Sequence, residues 1–593
     1  VAVAAKTGGS GVGAALGVNL VFNSVTAVAD TAIITSGSTI DIGSKSQEVL
    51  VSVTLGGAGG EKFALGGSIS VGVTMSTVEA KVVGTSDLDA TGDVKINAND
   101  STTVVLVAGG FAGSGKTAIG VAASTVYEQN TILANIDASS VTSTGGKVSV
   151  ISGIAPPTTP ADPSKIAIGT SSAVMPTFGS SQVVNLTIAG AGAGKVAVGV
   201  AISANIINNT IDASITSAST VISYGNVALS AIDASVIDAL ALGATGAGKV
   251  AVGAALSANV ITNKIRTTIS GGSTVLAGLN GAGAVVNSSA TVSLDATSSS
   301  IIRALGIGVS GGGDVAVSVT ALGNGVANTV TSIVSDSTVK AGGDVTITAQ
   351  DVAPNILPSW MLSADDQKDM DAALAGSPID LNANILAVMV SVAGSGKVAV
   401  GVGMMGNVVT NTVKADIIDS TVLAGLNATT LAIENAAADV YLTALSRTGI
   451  IAISVGVGAS GQVAVSATGF GNVITNSVDA SITGASTTVK SGGLIDLTAK
   501  DQSHITSVGL SIAASGSTAI SAIIGVNVVT NTVDSLISGA TVKSGTSLDV
   551  SAESTSTIFG FAGGVAASGS TAVQITMAGN VVTNKTRAVV TNS

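Results

Sequence analysis

The chain has 593 residues, 75 of them glycine, with 2% aromatic and 10% charged residues, a formal net charge of −12 and no cysteine. Disulfide, zinc-thiolate and iron–sulfur chemistry are thereby excluded. Nucleic acid and anionic membranes are disfavoured as partners, because both require a basic surface. With so few aromatics the core must be thin and aliphatic, as in stacked β-coils.

In chain order, Val1 lies partway into a repeat, and Ser593 ends at nearly the same phase, with no initiator Met and no signal peptide. This reads as a processed product or a segment of a longer array. The repeat is marked by two asparagines four residues apart. They are Asn19/Asn23, Asn205/Asn209, Asn259/Asn263, Asn324/Asn328, Asn407/Asn411, Asn472/Asn476, Asn527/Asn531 and Asn580/Asn584. Ser76 and Asn130 take the second position in two further units. From Asn23 the second positions are spaced 53, 54, 79, 54, 65, 83, 65, 55 and 53 residues apart, a basic period near 54 with four longer units. Stacked asparagines favour turns and amide ladders along a repeat; calcium held by their side-chain oxygens is the alternative reading. No acidic nonapeptide accompanies them, which disfavours a calcium-loaded β-roll.

The stretch Gly110-Phe111-Ala112-Gly113-Ser114-Gly115-Lys116-Thr117 matches a phosphate-binding loop after a strand at 103–108. A helix should follow, but Ala118 to Ala122 reads as a strand, so the match is one version of a recurrent turn. The unit from Lys195 gives the local grammar. A period-two strand spans 196–203, with Val196, Val198, Val200 and Ile202 on one face and Ala197, Gly199, Ala201 and Ser203 on the other. Asn205 and Asn209 follow, then strands at 210–215, 226–232 and 237–243, with a glycine bend at Gly225. The small-residue face invites close approach by a second layer. That layer is either another part of the same chain or a neighbouring subunit.

All eight prolines lie in two insertions, residues 154–182 and 353–382, because proline cannot donate to a strand ladder. Both enter after the strand that follows the glycine bend, so both should emerge on one face. The second contains the only tryptophan, Trp360, and a predicted helix that starts with a capping pattern at Ser363-Ala364-Asp365-Asp366 and ends by Gly376. Trp360 and Met361 are either a small local core or, with Asp365 and Asp366, a contact surface. Asp365, Asp366, Asp369 and Asp371 read as a solvated face. Two shorter insertions follow 276–280 and 423–427. An uncharged stretch at 449–478 is broken by Gly, Asn and Ser, so no transmembrane helix is expected. Aromatic girdles for a membrane barrel are lacking. His504 is the only histidine and forms neither a metal site nor a triad alone.

Segments 194–215 (GKVAVGVAISANIINNTIDASI) and 341–349 (AGGDVTITA) resemble the repeats of filamentous-haemagglutinin-like and leukotoxin-type bacterial surface adhesins. The resemblance covers nearly the whole chain outside the Pro-rich insertions. It implies a secreted, extracellular cell-surface protein, a long parallel β-helix, and adhesion or fibre formation, with no site residues to carry over.

The expected fold is all-β. It is an elongated, parallel β-helix-like solenoid over 1–593, built from about ten repeats with hairpin elements and two Pro-rich insertions, one partly helical. The expected function is structural and adhesive rather than enzymatic, without cofactor or metal. The alternative is a self-assembling filament or sheath subunit with no specific ligand. Expected partners are further copies, through end-to-end and small-residue-face contacts, and a host or neighbouring cell surface.

Overall fold

The computed structural model describes residues 1–154, 183–357, 364–374 and 380–593. The chain is an elongated, nearly all-β solenoid. Among the described residues every strand-to-strand ladder is parallel, and the ladders assemble into three sheets running the length of the stack. The unit that sequence patterning divided at Lys195 shows why. Strands Val196–Ile207 and Thr210–Thr216 lie on one long sheet, here called the front sheet. Thr220–Ser223 lies on a short side sheet. Val227–Asp233 and Val236–Ala247 lie on a second long sheet, the back sheet. The next unit repeats the circuit one rung further along, with Val196 opposite Val250 and Asn205 opposite Asn259. Each rung is one such circuit, and the front sheet stacks ten of them.

In cross-section each rung has a thick head and a thin wing. The head is closed by the side sheet and filled by Val, Ile and Leu, among them Ile132, Ile211, Val221, Leu229, Ile265 and Leu294. Each such side chain contributes about 1.5–3 kcal/mol on burial. In the wing the two long sheets face each other directly, and the inner face is small: Ala108, Ala122, Ala189, Ala201, Ala241 and Ala255 form one cluster. The approach is so close that a Cβ on Gly243 would overlap the Ala254 backbone of the facing strand.

This resolves the small-residue face of strand 196–203. Ala197 and Ala201 are fully buried against the same chain's back sheet, and Ser203 is nearly so. A neighbouring subunit therefore cannot use that face. Of the two partners left open by the sequence, the internal second layer is the one present.

Two corners differ from expectation. The turn at the wing tip, such as Gly194-Lys195, joins two separate sheets, so it makes no hydrogen-bonded hairpin. Antiparallel bridges among the described residues are confined to the insertions: Leu279 with Val285, Asn355 with Asn382, and Leu426 with Ile433. At the corner from the front sheet to the side sheet, rung after rung places a residue in the left-handed region. Thr31, Thr85, Ala138, Asp336 and Asp419 occupy it without being glycine. Such residues carry strain, which the surrounding ladders hold in place.

Candidate functional site

The neck between head and wing carries two polar columns. The first runs through the first asparagine of each pair. Asn185 Nδ2 donates to Asn205 Oδ1, Asn205 to Asn259, Asn259 to Asn324, and so on through Asn407, Asn472, Asn527 and Asn580, at 2.6–2.8 Å. The second asparagines work differently. Each side-chain oxygen accepts from the backbone N–H of the asparagine one rung earlier: Asn130 to Asn209, Asn209 to Asn263, Asn263 to Asn328, Asn328 to Asn411, Asn411 to Asn476, Asn476 to Asn531, Asn531 to Asn584.

The amide ladder foreseen from the spacing is present, but not at turns. Asn205 lies within strand Val196–Ile207, Asn209 sits at the strand junction, and no paired asparagine has positive φ. Asn19 and Asn23, in the first rung, stand apart: Asn19 Nδ2 reaches Val71 O and Asn23 Nδ2 reaches Ser46 Oγ.

Across the neck, the amide N–H groups of the second asparagines point at a column on the back sheet. In register this column reads Asp100, Ile154, Asp233, Ser298, Asp351, Ser446, Asp501, Ser554. Aspartates occupy alternate rungs, which separates the carboxyls by about 9.6 Å at the usual strand spacing. Asn130 donates to Asp100 and to Glu128. Asn263 donates to Ser235, which in turn donates to Asp233. Asn328 reaches Asp351 and Asn476 reaches Asp501.

Burial dominates the titration of these carboxyls. It pushes Glu128 up to about 8, Asp351 to about 7, and Asp100 and Asp501 to about 6. Asp233 is also raised by burial, against hydrogen bonds from Ser235, Ser300 and Asn263. Because the asparagine oxygens are spent on backbone N–H groups and their N–H groups face the carboxyls, the ladder presents donors inward, not the oxygens a calcium ion needs. No group of three or more His, Asp or Glu side chains is placed to hold a metal among the described residues. The sequence reading overlooked this acidic column. Its signal is Ala-x-Asp, at Ala98/Asp100, Ala231/Asp233, Ala349/Asp351 and Ala499/Asp501.

The P-loop match dissolves structurally. Gly110 and Phe111 lie in strand Val94–Ser114, and strand Thr117–Glu128 follows Lys116 directly. Lys62, Lys116, Lys195, Lys249 and Lys397 occupy the same tip position, joined by backbone bonds such as Lys195 N to Lys116 O and Lys249 N to Lys195 O.

The insertions leave the array on one side. Residues 155–182 depart after strand Val148–Ile154, and the second insertion departs after Val345–Val352, both at the neck of the back sheet. The second insertion includes the helix Ala364–Leu374, on which Asp365 and Asp366 are exposed. Trp360 and Met361 lie outside the described residues. The base of this insertion covers the back sheet: Ile356 and Ala383 are buried with Val236, Ile301 and Ile451. Beneath it Arg303 pairs with Asp238 at 2.5 Å and reaches Ile356 O. His504 is buried there too, its Nδ1 4.0 Å from Asp380. Burial pushes its imidazole below the usual value, against the pull of Asp380.

The two shorter insertions meet over the intervening rung. Ala428 N donates to Gly283 O at 2.7 Å, Val285 N to Glu434 Oε2 at 2.6 Å and Asn435 Nδ2 to Ser288 O at 3.0 Å.

The wing's outer faces bear the large aliphatics that its interior excludes. On the front sheet Ile202, Ile206, Met404, Val408, Ile524 and Val526 are each at least 40% exposed. No helix among the described residues is long and apolar enough to cross a membrane. No family model, curated protein or solved structure matches this chain.

Proposed function

We propose that this chain is an extracellular, cell-surface solenoid of the filamentous-adhesin kind, a rod whose rungs are scaffold and whose insertions make attachment contacts. The observation that carries the reading is the one-sided exit of the insertions. Both Pro-rich segments leave from the neck of the back sheet, and both shorter loops leave from the corner between the side and back sheets. A scaffold satisfied internally by stacked amides can carry such segments without disturbing its neighbours, since each repeat contacts only those beside it. The repeat resemblance at 194–215 and 341–349 supports the same reading, as does the buried anchoring of the second insertion through Ile356 and Ala383.

The test is attachment. Purified chain is applied to host and neighbouring cells, beside a variant in which residues 358–379 are replaced by a short Gly-Ser linker and a variant lacking 156–180. Loss of cell binding in either variant, with an unchanged β-sheet circular-dichroism spectrum, supports display. Undiminished binding by both sinks it.

A further inference from the structure

The front face of the wing is apolar and wide. Its outward columns run from Val196 to Ile206 in the fourth rung and continue through the equivalent residues of the other nine. No Asp, Glu, Lys or Arg occurs on these columns. At about 3.3 Å per residue and 4.8 Å per rung, the face measures roughly 40 by 43 Å. That is about 1,700 Å², well above the few hundred Å² that a monomer usually leaves apolar, and about twice what each partner buries in a standard interface. Charged residues border it. The tip lysines lie on one side; on the head side lie the Asp212–Arg266 pair and the Lys81–Glu79 pair, the latter at 2.7 Å.

One column within this face has no reason to be small in the isolated chain. In register it reads Val18, Val71, Thr125, Ala204, Ala258, Gly323, Gly406, Gly471, Val526, Gly579, small from the fourth rung to the eighth and again in the tenth. A Cβ added at Gly323, Gly406, Gly471 or Gly579 would meet nothing within 4 Å, and none of them has positive φ. Glycine inside a strand costs about 0.5–1 kcal/mol relative to alanine, and it marks places where another backbone approaches closely. The glycine column is a groove. Beside it, two residues on, stands a ridge: Ile206, Val260, Val408, Val473, Val528 and Val581, interrupted at Gly325.

We propose that this face pairs with the same face of a second copy of the chain. A two-fold axis along the stack, through the middle of the face at the Val200 column, sets the Val196 column of each copy into the groove of the other, rung against rung. The shared rung spacing keeps the register over the whole length, and a two-fold contact needs only one self-complementary surface. The back sheets, with their insertions, then face outward from both copies. This pairing stands apart from the attachment role: a dimer without cell binding, or cell binding by a monomer, separates the two.

The full 593-residue chain is studied by sedimentation velocity and light scattering at micromolar concentration. Twice the chain mass is expected. Gly406→Val with Gly471→Val fills the groove. It is expected to leave the melting temperature of the chain unchanged or raised, and to weaken association by at least about tenfold, a difference of 1.4 kcal/mol. Ile202→Lys with Met404→Lys, both exposed near the middle of the face, is expected to give monomer with an unchanged circular-dichroism spectrum. A monomeric parent chain overturns the proposal. So does association that survives both double variants, which would place the contact at the ends or the back sheet. Binding of monomer to phosphatidylcholine vesicles, lost in the lysine variant, would assign the face to lipid and likewise overturn it.

Discussion

Asn407→Ala interrupts the amide ladder at its middle. Asn407 is fully buried; it accepts from Asn324 Nδ2 and donates to Asn472 Oδ1, each at 2.8 Å. Truncation leaves two buried groups without these partners, a donor on Asn324 and an acceptor on Asn472. Each orphan costs about 1–3 kcal/mol, so the expected loss is roughly 2–6 kcal/mol, with any collapse of the small void adding or subtracting little. Thr410→Ala is the control. It lies three residues away on the exposed outer side, and surface changes of that kind fall within about 0.5 kcal/mol. A ten-rung solenoid need not unfold in one step, so the measurement is native-state hydrogen exchange resolved by peptide. Faster exchange is expected in strands Val315–Val326, Val398–Val409 and Val463–Ile474, while the first and last rungs keep their protection. If Asn407→Ala exchanges like Thr410→Ala, the ladder contributes nothing and the reasoning fails.

The acidic column predicts a pH dependence. Glu128, Asp351, Asp100 and Asp501 hold their protons more tightly in the fold than ordinary glutamate and aspartate carboxyls, at 4.5 and 3.8, do. The folded chain therefore binds more protons than the unfolded chain between about pH 4 and 8, and stability falls as pH rises through that window. Denaturation midpoints in guanidinium should be higher at pH 5 than at pH 8.5. Glu128→Gln with Asp351→Asn should flatten the slope, and Ser446→Asp, between Asp351 and Asp501, should steepen it; a midpoint rising with pH would contradict the assignment. Two glycines two residues apart should behave oppositely. A Cβ at Gly248 overlaps the Gly194 backbone at the wing tip, whereas one at Gly246 meets open space. Thermal melts should show Gly248→Ala destabilised by about 1–3 kcal/mol and Gly246→Ala neutral or slightly stabilised; equal effects would refute the stacked-tip geometry.

The neck explains how such a thin protein holds its rungs in register. The wing interior buries mainly Ala, Gly and Ser, so its packing discriminates weakly between registers. The asparagine and aspartate columns supply directional bonds that a one-residue slip would break. Spacing the aspartates two rungs apart limits repulsion between carboxyls whose charged form burial already disfavours.

Periodicity was a property of the sequence alone. Strands 196–203 and 226–232, the bend at Gly225, the near-54 repeat and the exit point of the insertions were all written in local residue order. Strand alternation and turn chemistry are short-range, and proline's exclusion from ladders needs no tertiary context. What the sequence could not decide was which face of an alternating strand turns inward. Hydrophobicity favours Val196, Val198 and Val200, yet it is Ala197, Gly199 and Ala201 that are buried in the wing. Two backbones can close to that distance only over small side chains. Whether such an approach occurs depends on the back sheet of the same circuit, about 50 residues away in some rungs and more in others. A shorter separation, 23 to 30 residues, hid the acidic column. Asp233 and Asp351 look like ordinary surface residues in an alternating strand, and become buried partners of Asn263 and Asn328 only when the circuit closes and brings the two long sheets together.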